Sequence, residues 1–253
     1  MIAPTPQSES VNLANEAKYL PLEAHERRVR LLWRLRGLVR KSPSDEVARL
    51  GLMFAALHSG DRITANEQLS WLSARPQSLE TAILMNIAAP QVMIGDFDNA
   101  RSVLEEIARR PDRPYLDMGQ PETDAVWALL VGDSDLAWRL AQGYPAAQRF
   151  LAEAERRHLN TPITLLGAAA AETIGPVACD LSLEMNASSK EEGAFLCCVY
   201  RIPNDRNKRK QILRSFDKLW CAKLSESNLE EIDFLGEVMA DVLPLPTPEP
   251  LSP

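Results

Sequence analysis

Three times along the chain a Gly-Asp pair is followed by an alanine five residues after its glycine: Gly60-Asp61 with Ala65, Gly95-Asp96 with Ala100, and Gly132-Asp133 with Ala137. The glycines stand 35 and then 37 residues apart, and Pro76 and Pro111 each fall 16 residues after the first two. A glycine can take positive φ at no steric cost, so it ends one helix and lets the chain reverse, while the aspartate and its neighbours open the next helix. An alanine one turn into that second helix is small enough for two helices to approach closely. A near-constant period of this length is that of a helix-turn-helix unit stacked on its neighbours. The reading predicts Ala65 and Ala100 to be buried at helix crossings; the alternative is a non-repeating bundle whose turns happen to use Gly-Asp.

From about Asp45 to Pro145 the pattern resembles the tetratricopeptide repeat (TPR), whose second half carries glycine, alanine five residues on, and a closing proline. The matching residues are Gly60, Ala65 and Pro76, then Gly95, Ala100 and Pro111, then Gly132 and Ala137 with an early Pro145. The aromatic and glycine landmarks of each first helix are mostly absent, and Pro90 interrupts the one before Gly95. A narrower likeness runs through the Gly95-Asp96 and Gly132-Asp133 turns to Trp138-Arg139. It is similar to the short Hrp and Ysc repeat proteins of bacterial type III secretion systems, and that similarity implies a chaperone or accessory factor for secretion components.

The expected fold class is all-α: antiparallel helical hairpins stacked as a short TPR-like superhelix, with additional C-terminal helices. Residues 1–15 read as a flexible arm, 16–145 as the hairpin array, 146–243 as a C-terminal helical region and 244–253 as a proline-rich disordered tail. Runs of alternating Val, Ile, Thr and Tyr are missing, so no strands are expected. Within the C-terminal region, Ala146 to His158 and Asn160 to Ile174 read as helices, the second Ala-rich and suited to close packing. Capping boxes at Ser188 with Glu191 and Ser227 with Glu230 predict helices over Ser189–Arg201 and Asn228–Leu243, and Asp205 opens one through Leu224.

No constellation of reacting groups is visible. His25, His58 and His158 are far apart and read as surface or helix-end residues. Cys179, Cys197, Cys198 and Cys221 show no metal-ligand spacing and read as small buried hydrophobes in helical surroundings, suiting a reducing cytoplasm. The chain is therefore expected to be no enzyme, with no catalytic residues, metal or cofactor. Met1 to Glu9 lacks the pattern of a secretory signal, and apolar runs such as Leu165–Ala171 are too short to span a bilayer.

A net charge of −7 argues against nucleic-acid binding by the whole chain, leaving two local basic stretches as partner-contact candidates. One carries Arg27, Arg30 and Arg34 around Trp33 in an amphipathic helix running to Lys41. The other carries Arg206, Lys208, Arg209 and Lys210. Both read more simply as solvated helix faces. The expected function is a cytoplasmic protein-protein adaptor or chaperone with a protein or peptide partner, in the narrower form serving type III secretion. The alternatives are a regulator or effector touching nucleic acid or an anionic membrane through these helices, and a catalytic protein with a cryptic site between the two halves. Oligomeric state is not written in the sequence.

Overall fold

The computed structural model describes residues 6–20, 24–110, 120–185, 195–202, 206–229 and 238–244. The chain is predominantly helical, with eleven α-helices and one three-stranded sheet among these residues. The first helices are α1 (Pro6–Tyr19), α2 (His25–Lys41), α3 (Glu46–Ser59), α4 (Arg62–Ser73), α5 (Thr81–Ile94) and α6 (Phe97–Arg109). Then come α7 (Gln120–Leu130), α8 (Ser134–Ala141), α9 (Pro145–Arg156) and α10 (Asn160–Thr173). The remainder is β1 (Asp180–Met185), β2 (Leu196–Ile202), α11 (Arg206–Glu226) and β3 (Val238–Pro244).

The three Gly-Asp pairs make the same turn. Gly60, Gly95 and Gly132 have φ of 78°, 82° and 79°. In each, the aspartate N–H donates back to a carbonyl five residues earlier at 2.9 Å: Asp61 to Ala56, Asp96 to Gln91 and Asp133 to Ala128. This closes the last turn of the first helix. The aspartate then opens the second helix, its Oδ1 accepting from the Thr64 N–H at 3.1 Å in α4 and from the Leu136 N–H at 2.8 Å in α8. Asp96 instead accepts from the Asn99 side chain at 2.8 Å. Arginines hold two of the turns from outside. Arg36 of α2 reaches Asp61 at 2.6 Å, and Arg101 of α6 donates to the Val131 carbonyl at 2.9 Å beside Asp133. Burial works against ionisation of Asp61, but the Thr64 and Arg36 hydrogen bonds outweigh it and hold the carboxyl below its ordinary value.

The consequence is three hairpins, α3–α4, α5–α6 and α7–α8, each packed across its own turn. Ala65 and Ala100 are buried, as the spacing predicts, and so is the equivalent Ala137. The turn also outlives its sequence signal. His158 takes φ of 59° and the Leu159 N–H returns to the Ala154 carbonyl at 2.8 Å, so α9 and α10 are joined by the same geometry without a glycine. Pro90 does not interrupt its helix: α5 runs through it from Thr81 to Ile94.

Several expectations need correction. The arm expected over residues 1–15 is helical from Pro6, because Leu13, Ala14 and Ala17 form an apolar stripe that α1 buries against α3. Residues 1–5 and the tail beyond Pro244 lie outside the described residues. The chain is not wholly helical. Where a helix is expected over Ser189–Arg201, Leu196–Ile202 is a strand, and Val238–Pro244, within the helix expected over Asn228–Leu243, is another. The boxes that suggested those helices fall at or beyond the edge of the described residues. In β2 every residue except Arg201 is buried, so both faces are apolar and no alternation appears in the sequence. β1 pairs antiparallel and β3 parallel to β2. A parallel pair needs a long crossover, and α11 supplies it.

α10 ties the two halves together. Its alanines and Gly167 let it lie against α5, α7, α11 and β3. The Thr164 hydroxyl donates to the Leu129 carbonyl at 2.8 Å, satisfying an acceptor at the end of α7. Phe150 of α9 stacks on Phe195 at 4.7 Å, joining the helices to the start of β2. A single apolar core runs from Leu13 to Val242.

Candidate functional site

The first helices of the three hairpins, α3, α5 and α7, share one side of the array, and a cleft opens there. It is closed by the end of α1 and the start of β1, and encloses about 650 Å³ of empty space, counting the part open to solvent. Its apolar lining is Phe54 and Leu57 of α3, Met85, Pro90 and Met93 of α5, Trp127 of α7 and Leu181 of β1. Methionine and tryptophan walls of this kind adapt to apolar side chains of varied shape. Pro90 has no N–H, so the Asn86 carbonyl one turn earlier loses its helical donor beside the cleft.

Polar groups sit at the rim. Lys18 donates to the Asn86 Oδ1 at 2.7 Å and is held over the Tyr19 ring. Asp180 lies 3.6 Å from Arg201 on the neighbouring strand. Beneath them His58 is buried, its Nδ1 3.2 Å from the Ala17 carbonyl. A carbonyl only accepts, so the contact puts the ring proton on Nδ1 and leaves Nε2 an acceptor. Arg28, also buried, donates to the carbonyl of His58 at 3.0 Å.

Burial pulls the His58 pKa below its ordinary 6.5; nearby Asp180 opposes this and Arg28 reinforces it. Burial likewise raises the Cys179 thiol, against the pull of Arg62 and Arg28. Both shifts favour the uncharged form of the group, the neutral imidazole and the protonated thiol. Because His58 is depressed, both folded and unfolded forms are neutral above pH 6.5 and no stability is lost there. Below 6.5 the unfolded chain takes up the proton first, so stability falls as pH drops toward the folded value. Urea midpoints measured between pH 8 and pH 5.5 should therefore decline for the wild type and decline less for His58→Gln. Equal slopes would show that His58 is not held neutral.

None of the expected contact residues lines this cleft. On α2, Arg27 pairs with Glu16 at 2.6 Å, Arg34 with Glu9 at 3.0 Å and Arg30 with Glu26 at 3.4 Å. Each of these three arginines is thus matched by a carboxylate, which weakens the field that a phosphate surface would feel. Trp33 is exposed among them. On α11, Lys208 and Lys210 are exposed and Arg209 lies 3.8 Å from Asp241 of β3; the Arg206 side chain lies outside the described residues. None of the four cysteines is in a disulfide and three of them are buried, but Cys197 and Cys198 lie on a strand and not in the helical surroundings expected. Among the described residues no group of histidines, cysteines and carboxylates could hold a metal, and no helix is long and apolar enough to cross a membrane.

Comparison with protein-family models finds no match, and neither do comparisons with curated proteins or with solved structures.

Proposed function

We propose that this chain is a TPR-like adaptor or chaperone that binds a protein partner by burying an apolar segment of it in the cleft. The observation that carries the reading is that α3, α5 and α7, the equivalent helix of each hairpin, all contribute to one apolar wall. Stacked hairpins present equivalent helices on the same side, and the surface so formed suits an extended or helical partner segment. The burial that favours uncharged His58 and Cys179 beside the cleft supports binding over nucleophilic attack. The narrower form, an accessory protein of a type III secretion system, is supported by the resemblance running from the Gly95-Asp96 turn to Trp138-Arg139.

Ala89 faces the cleft from the middle of α5 and is half-buried, so a larger side chain there fills the cleft without entering the core. Ala89→Trp should weaken capture of the partner at least about tenfold, a larger loss than rising salt brings to the wild type. A partner bound equally well by Ala89→Trp, or lost steeply with salt, would place binding elsewhere on the molecule. If the captured partner is a secretion component the narrower form stands; if it is unrelated to secretion, only the adaptor reading survives.

A further inference from the structure

Resting on the cleft as the partner site, we infer that the partner enters as an extended strand added to the outer edge of β1, with alternating apolar and basic side chains. The sheet order is β1-β2-β3, so among the described residues β1 is hydrogen-bonded on one side only. An edge of this kind carries a row of backbone donors and acceptors that a peptide can complete. β1 also forms part of the cleft wall, through Asp180 and Leu181. Its residues alternate: Leu181, Leu183 and Met185 face the core, while Asp180, Ser182 and Glu184 face outward. A strand laid beside β1 would share that alternation, sending the side chain opposite Leu181 toward Met93 and Trp127 and setting its other side chains beside Ser182 and Glu184.

Charge decides which occupant fits. Glu184 is exposed and has no cationic partner among the described residues, whereas Asp180, further along the same face, lies 3.6 Å from Arg201 of β2 and is already matched. A second copy of this chain pairing β1 to β1 would offer Glu184 no cation, because β1 carries no basic residue. Lysine or arginine in an incoming strand meets the opposite charge. Glu184 therefore favours a basic incoming strand over a second copy of β1 along this edge.

The test uses the full chain and a synthetic peptide alternating lysine and leucine, about seven residues long, at physiological salt. The parent peptide should bind and slow amide exchange within Leu181–Met185. N-methylation of alternate peptide residues, made in both registers, should weaken one of the two at least about tenfold, because it removes the donors facing β1. Glu184→Lys, an exposed change that leaves the core intact, should weaken binding similarly and transfer preference to a peptide alternating glutamate and leucine. If both methylated peptides bind like the parent and Glu184→Lys changes nothing, strand addition is wrong. Should Ala89→Trp still abolish binding in that case, the cleft remains the partner site; should it have no effect either, both readings fall.

Discussion

Replacing Gly167 with alanine is expected to destabilise the protein by about 1–3 kcal/mol, opposite in sign to the roughly 1 kcal/mol that helix propensity alone would add. Gly167 lies in α10 where it crosses the end of α7. A Cβ there would stand 2.7 Å from the Leu130 carbonyl oxygen and 3.3 Å from its carbon. Those atoms are backbone, next to a turn whose glycine must hold φ of 79° and whose carbonyls are gripped by Thr164 and Arg101. They cannot yield as the tip of a flexible side chain would, so overlap outweighs propensity. Gly37 supplies the control. It sits inside α2 with nothing within 4 Å of an added Cβ, so Gly37→Ala should stabilise by up to about 1 kcal/mol. Chemical denaturation of the two variants should give shifts of opposite sign. Shifts of the same sign would mean that α10 and α7 do not approach as described.

Phe150→Ala should cost about 3–5 kcal/mol, the range for deleting a buried aromatic ring. Phe150 is 2 % exposed and stacks on Phe195, which precedes β2 and lies under the Arg157 guanidinium at 5.1 Å. Because the core is continuous from α1 to β3, the loss should reach the whole molecule. Fluorescence from Trp127 in the array and Trp220 on α11 should report one coincident transition at a lower denaturant midpoint. Two separated transitions would instead divide the array from the sheet.

The hairpin array is the part of the fold most legible in the sequence. Its turns are local: a glycine at positive φ, an aspartate cap and a small residue one turn later lie within six positions, so their physics is visible without any distant contact. Ala65, Ala100 and Ala137 accordingly lie where the spacing puts them. The fourth turn was not legible, because His158 adopts the same backbone conformation with a side chain that does not advertise it. The stripe of α1 was hidden by its polar residues, since its burial depends on Gly51 of α3 letting the Ala14 backbone approach closely.

The cleft was the least legible feature. Lys18, His58, Pro90, Trp127 and Asp180 come from five separate elements, and no spacing in the chain relates them. The α2 arginines that stand out in sequence, Arg27, Arg30 and Arg34, are matched by carboxylates from α1 and from α2 itself. Of the cleft residues only Pro90 carried a local signal, as a proline inside an otherwise apolar helix.

Taken by itself, the sequence determined the hairpins, since nearest-neighbour sterics and capping act over one helical turn. Only the tertiary structure decided that Leu196–Ile202 is a strand. A short, wholly apolar run has no periodicity of its own, and whether it coils or extends is settled by the backbone partners it finds, here β1 and β3. The same holds for the cleft, which exists because α3, α5 and α7 stack side by side and β1 closes one end. The Gly-Asp turns make that stacking possible, but long-range packing sets what faces the opening.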